Sequence, residues 1–359
     1  KTKSSPTSFD ENTYLADVDC IALTGTYLSF LLSYHKKALL SAFCLAGVLL
    51  LLGFSATTSY KAPTIVRDYS NIDSEFDLKV GLIDHWCLNG GDESCTCQDP
   101  LHPLSLSEVP GWTKARKKNK ELIASAVASG KNIDVAFVGD ALTELWAGRI
   151  LGRDEHAPDE VKRIKKIFDK LFTKDGGGDF EGIPLGIAGD SAPQLLWRLL
   201  NGEMDGINPK VWWVEIGIGD LARRECSEEV VLLGILRIVE EIRKQKPSAK
   251  IVINGLIPTT KVRGGVLTDE IGKRFKRWTG KDLWPSINLI NKNLQRFASR
   301  HTSIEYFDPM SVFVENSNRG QRIIKHFMRD PIHPNSDGYQ QWGKAIVKRL
   351  KTMKGERNA

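Results

Sequence analysis

Between Ile133 and Asp308, five short apolar runs recur at strand length, each separated from the next by a longer stretch with helical spacing. They are Ile133–Gly139 (IDVAFVG), Ile183–Gly189 (IPLGIAG), Val211–Gly217 (VWWVEIG), Lys250–Leu256 (KIVINGL) and Ser303–Asp308 (SIEYFD). Their apolar character is nearly continuous rather than alternating, as in strands covered on both faces. Helical stretches fall at 159–173, 192–201, 227–245 and 284–300, and a last one at about 336–352. In the first of these, Val161, Ile164, Ile167, Phe168 and Leu171 share one face, the spacing of a helix packed on a sheet. This order specifies a three-layer α/β domain with a five-stranded parallel sheet. Ligands of such sheets bind beyond the carboxyl ends of the strands.

The chain ahead of this region is of another kind. From Ala38 to Tyr60 no residue is charged (ALLSAFCLAGVLLLLGFSATTSY). About 20 apolar residues suffice to cross the hydrocarbon core of a bilayer as a helix. His35, Lys36 and Lys37 precede the run and Lys61 alone follows it. The positive-inside bias then leaves residues 1–37 as a cytoplasmic tail and places everything after Lys61 in a lumenal or extracellular space. A cleaved signal peptide, processed near Ser55 and Ala56, is the rival reading. The uncharged stretch Ile21–Tyr34 is short and broken by Thr, Gly and Ser, which suits an interface better than a span. Residues 61–131 read as a polar stem, with a basic run (KARKKNK, Lys114–Lys120) opening a helix with a solvated face. The expected organisation is tail 1–37, signal anchor 38–60, stem 61–131, the α/β domain 132–353 and tail 354–359.

Six cysteines are present, three of them clustered as Cys87, Cys95 and Cys97. Beyond an anchor such a cluster lies in an oxidising compartment, and a local disulfide is expected there, with Cys226 standing alone. The cluster lacks the paired C-x2-C knuckles of structural zinc sites, so no metal is expected. The net charge of +6 is spread among acids, which does not describe a nucleic-acid surface.

Short motifs stand at the strand ends: Gly139-Asp140-Ala141-Leu142 after the first, Gly189-Asp190-Ser191-Ala192-Pro193 after the second, Gly217-Ile218-Gly219-Asp220 after the third. Asp330-Pro331-Ile332-His333 precedes the last helix. An Asp three residues before a His can hold one ring nitrogen and leave the other as a base. In this order the motifs resemble those of the SGNH (GDSL-like) hydrolases, and within them the platelet-activating-factor acetylhydrolase catalytic subunits. The likeness covers about residues 132–353 and extends to Gly186–Glu203, with its Leu-Trp-Arg-Leu and Asn-Gly-Glu pieces, to Asn208-Pro209-Lys210-Val211 and to Asn254–Pro258. It implies a flavodoxin-like layered fold and ester hydrolysis by a Ser of G-D-S, a His–Asp pair and an oxyanion hole built from two backbone N–H groups and an Asn.

Carried over residue by residue, the resemblance makes His333 the base, Asp330 its orienter and Gly189 an oxyanion donor. The nucleophile position is Ala141, and the oxyanion Asn position is Gly219. Neither side chain can do the family's work, and two losses favour natural divergence over a single replaced residue. Asp140, Ser191 and Asp220 are expected around the pocket, Ser191 as a loop-structuring hydroxyl. Glu144, one helical turn beyond Ala141, and a water activated by His333 are the substitutes to consider. The expectation is thus a degenerate esterase-type domain that binds an ester-, acyl- or glycan-bearing ligand, or a protein partner, without efficient turnover. The alternative is an active hydrolase or acyltransferase working through water or a substitute nucleophile. No cofactor is called for, because Gly139–Leu142 offers none of the phosphate-cradling residues of a flavodoxin-type loop. The oligomeric state is left open, a homo-oligomer included. The basic, Trp-containing insert Thr260–Trp284 reads as a surface loop on the site face.

Overall fold

The computed structural model describes residues 97–259, 283–317, 320–330 and 332–356. The uncharged run Ala38–Tyr60, with Cys87 and Cys95, and nearly all of the 260–284 insert lie outside them. Among the described residues, no helix is long and apolar enough to cross a membrane.

All five predicted strands form: β1 (Val135–Gly139), β2 (Gly182–Gly186), β3 (Val211–Glu215), β4 (Lys250–Asn254) and β5 (Ile304–Phe307). They make one parallel sheet in the order β2-β1-β3-β4-β5. The chain leaves β1 toward one edge and returns on the other side of it as β3. The topological switch point therefore lies between β1 and β3, where the register sets Gly139 beside Glu215.

The connecting helices follow the predicted apolar periods. In chain order they are α1 (Pro110–Ala128), α2 (Ala141–Trp146), α3 (Asp159–Phe172), α4 (Ala192–Arg198), α5 (Ile218–Ala222), α6 (Glu228–Gln245), α7 (Trp284–Ala298), α8 (Met310–Phe313) and α9 (Ser336–Glu356). α3 packs against α9, and α6 against α4 and α7. Val161, Ile164 and Phe168 of α3 are buried as their spacing predicts. They belong to an aromatic layer in which Phe137 of β1 meets Phe168 and Phe172, and Trp146 meets Tyr339 and Trp342 of α9. The Tyr339 hydroxyl donates to the Leu142 carbonyl at 2.8 Å and ties α9 to α2. A hairpin of β6 (Val314–Ser317) and β7 (Gly320–Ile323) follows α8.

Two expectations are corrected. The last third of the supposed stem is part of the domain: α1 buries Trp112, Ala115, Asn119, Ile123 and Ala126. These positions follow a helical stripe, but the interleaved lysines of the basic run hide it from a reading by composition. Among the described residues, the bond that Cys97 makes is not local either. Cys97 is bonded to Cys226, 129 residues away, with a Cα–Cα separation of 5.0 Å. Linear proximity suggested a bond within the cluster, whereas the fold lays residues 97–104 along the start of α4, where Leu104 N–H donates to Pro193 O.

Candidate functional site at the switch point

β1 ends in Gly139, and Asp140 caps the short helix α2 by accepting the Leu142 N–H at 2.9 Å. Ala141 is therefore the first residue of α2, at the helix end where backbone N–H groups point outward. It is half-buried, and it presents a methyl group. Behind it lies a carboxyl pair that the sequence reading missed. Glu215, the last residue of β3, is close enough to Asp140 to share a proton with it, and it accepts a hydrogen bond from Thr143 Oγ1 at 3.2 Å. Burial, then the neighbouring Asp140, pushes the Glu215 carboxyl well above the usual range. Burial also raises Asp140, against the pull of the Leu142 N–H and the charges of Arg223 and His333. Burial thus disfavours charge on both carboxyls, and most strongly on Glu215. Glu215 sits within an apolar run, where nothing singles it out.

Gly189 follows β2 with φ +91°, a conformation that favours glycine, and the space a Cβ would fill there is open. Ser191 and Asp220, expected around the pocket, are buried and committed to the start of α4. The Ser191 hydroxyl bonds the Gln194 side chain, and the Ser191 N–H donates to Gln194 Oε1 at 3.0 Å. Both oxygens of Asp220 accept the Ala192 N–H at 3.1 Å. Burial pushes Asp220 up to about 6, against that hydrogen bond. Glu144 does not reach the pocket. It is fully buried and accepts the N–H groups of Leu151, Gly152 and Ala188 at 2.8–2.9 Å, so its work is structural.

His333 and Asp330 stand together ahead of α9. His333 Nδ1 lies 2.9 and 3.0 Å from the two Asp330 oxygens, and Asp330 Oδ1 also accepts the N–H groups of Ile332 and His333. Burial works to raise the Asp330 carboxyl, but His333, Arg329 and these hydrogen bonds hold it far below the usual range. Asp330 is therefore ionised and fixes the ring orientation, the arrangement that an imidazole base requires. The charge of His333 also reaches Asp140, across the switch point.

Gly219 lies in α5, buried, with Asp190 O 3.2 Å and Arg223 Nη2 3.4 Å from the place of a Cβ. No amide side chain is offered there. A guanidinium is, and sequence reasoning passed over it because Arg223 stands three residues beyond the motif.

A doubly wound parallel sheet with an ordered His–Asp pair ahead of its last helix is the arrangement of an SGNH hydrolase-like domain. The family model of the GDSL-like lipase/acylhydrolases matches residues 137–341, and the chain belongs to that family. The human platelet-activating factor acetylhydrolase IB subunit alpha2 is 33% identical over 237 residues, covering 66% of this chain and 83% of the relative. The bovine alpha1 subunit is 24% identical over the same length. Among solved structures, a protein from Streptococcus pneumoniae described as a platelet-activating factor aligns with a TM-score of 0.49 at 16% identity, covering 67% of this chain and 92% of that one.

Proposed function

We propose that this chain is a membrane-anchored member of the family that has lost serine catalysis and binds an acyl-bearing ligand without efficient turnover. The observation that carries the reading is Ala141 at the head of α2, a methyl group where the family places its attacking oxygen. Without that oxygen there is no acyl-enzyme, and Gly219 withholds the side-chain donor of the oxyanion hole. Loss of one such donor alone costs about 3–4 kcal/mol of barrier. The retained His333–Asp330 pair supports a rival reading, direct activation of water, which lacks both the covalent intermediate and a complete oxyanion hole.

The test is hydrolysis of nitrophenyl acetate by the unmodified full-length chain. Turnover within about tenfold of the His333→Ala variant is expected. Robust turnover that disappears with His333→Ala would establish the water route and end the degenerate reading.

The anchor places the domain on the lumenal side, and the Cys97–Cys226 bridge suits the oxidising compartment this requires. In intact vesicles, added protease should remove only the N-terminal tail, and non-reduced peptides should carry the Cys97–Cys226 link. Digestion of the 132–353 region from outside, or free thiols at both cysteines, would reverse the orientation.

A further inference from the structure

Of the charged groups around the switch point, Arg223 has the least structural work to do. It closes α5, its side chain is exposed, and among the described residues its guanidinium forms no hydrogen bond or ion pair. Yet it does not extend into solvent away from the site. Its Nη2 and Nε lie 3.4 and 3.9 Å from the point where a side chain at Gly219 would begin. Its charge is felt at Asp140, immediately before the nucleophile position.

We propose that Arg223 takes the place of the missing oxyanion donor and converts this site from one that processes esters into one that holds an acyl carboxylate. The inference rests on the degenerate reading above and deepens it by naming the class of ligand. An amide donor is neutral: it tolerates an ester carbonyl and gains strength only as charge develops on the oxygen. A guanidinium is permanently charged and offers forked N–H donors that match a carboxylate, so its attraction is greatest for a ligand already ionised at rest. An interaction fully present in the bound state lowers no barrier. The same exchange therefore favours binding and abandons turnover, in keeping with Ala141.

The remaining charges allow an anion here. Burial and the neighbouring Asp140 disfavour a charge on Glu215, and Asp140 Oδ1 is turned to the Leu142 N–H. Asp220 is turned to the start of α4, and Asp330 is matched by His333 and Arg329. Arg224 adds a second cation, close enough to feel Arg223. The space that a Cβ at Gly189 would fill is open.

The test uses butyrate and its neutral isostere butyramide, titrated into the full chain by calorimetry. The unmodified protein should bind butyrate more tightly than butyramide. Arg223→Ala should weaken butyrate by about tenfold or more and leave butyramide unchanged, while Arg223→Lys should fall between. Thermal unfolding of each variant verifies that the fold is retained, and Arg223→Gln replaces any variant that is not folded. The proposal is overturned if the unmodified chain does not prefer the anion. It is equally overturned if butyrate binding survives Arg223→Ala and is lost instead with His333→Ala. Ester turnover by the unmodified chain would defeat the degenerate reading separately, since it is read in a different assay.

Discussion

Ala141→Ser is expected to raise the hydrolysis of nitrophenyl acetate by about three decades over the unmodified chain. Removing a triad serine costs about six decades in a fully equipped enzyme. Here a serine returns to an ordered imidazole and an open Gly189, but an oxyanion hole short of its amide donor withholds two to three of those decades. The gain should vanish in Ala141→Ser/His333→Ala. It should be almost wholly lost in Ala141→Ser/Asp330→Asn, because the imidazole then loses the carboxylate that fixes its tautomer, a change that costs about four decades in a complete triad. Adding Gly219→Asn should contribute further, by less than the two decades an unobstructed donor provides. The new Cβ comes within 3.2 Å of Asp190 O and 3.4 Å of the Arg223 guanidinium, so Arg223 has to withdraw before the amide can point inward. Steady-state kcat/KM across this series measures each step. No gain from Ala141→Ser, alone or with Gly219→Asn, would mean that the imidazole does not address the head of α2, and the esterase geometry would be lost along with the chemistry.

The sequence made this experiment conceivable because the parts of the site built from local motifs were legible in it. Asp330 and His333 are three residues apart, so their pairing needs no knowledge of the fold, and the structure brings them to 2.9 Å. The five strands were visible because a doubly covered sheet requires continuous apolar runs, and the sheet keeps all five. What stayed hidden depends on contacts between distant segments. Glu215 meets Asp140 only because β1 and β3 are neighbours in register, and nothing in VWWVEIG separates that acid from a strand terminus. Cys226 meets Cys97 across 129 residues of chain. Glu144 was placed correctly on its helix but with the wrong neighbours, since helical spacing does not reveal three backbone N–H groups arriving from the following turn and from the loop after β2. Asp190 likewise stands in a strand-end motif that gives no sign of the buried ionic network to which it belongs and on which the site is mounted.

Disrupting that network at Arg198 should cause the largest loss of stability available from one substitution outside the apolar core. Arg198 is fully buried, and its Nε donates to Asp190 at 2.7 Å. Its Nη1 meets Glu203 and donates to the Leu185 carbonyl at 3.1 Å, while Nη2 donates to the Gly139 carbonyl at 2.9 Å. One side chain thus holds the ends of β1 and β2 and the residue after Gly189, with Trp112 Nε1 fixing Asp190 from α1 at 2.6 Å. Arg198→Met preserves much of the volume but strands two buried carboxylates, which costs about 3–5 kcal/mol. Lys117→Ala, which removes an exposed partner 4.0 Å from Glu121, should cost less than about 1 kcal/mol. The loss at Arg198 should also depend on pH with a definite sign. Burial already pushes Asp190 up to about 7, against the pull of Arg198 and Trp112, and removing Arg198 raises it further. A carboxyl raised in the folded state contributes its stability in full below its unfolded value, and that contribution is lost as pH climbs through the folded one. In the unmodified chain this decline ends near 7, whereas in Arg198→Met it continues above, so the gap between the two should widen from pH 7 to 9. Urea unfolding at pH 6, 7.5 and 9 measures it. A deficit that stays constant or narrows as pH rises would show that Asp190 does not depend on Arg198 for its charge, and that the guanidinium serves the strand-end carbonyls alone.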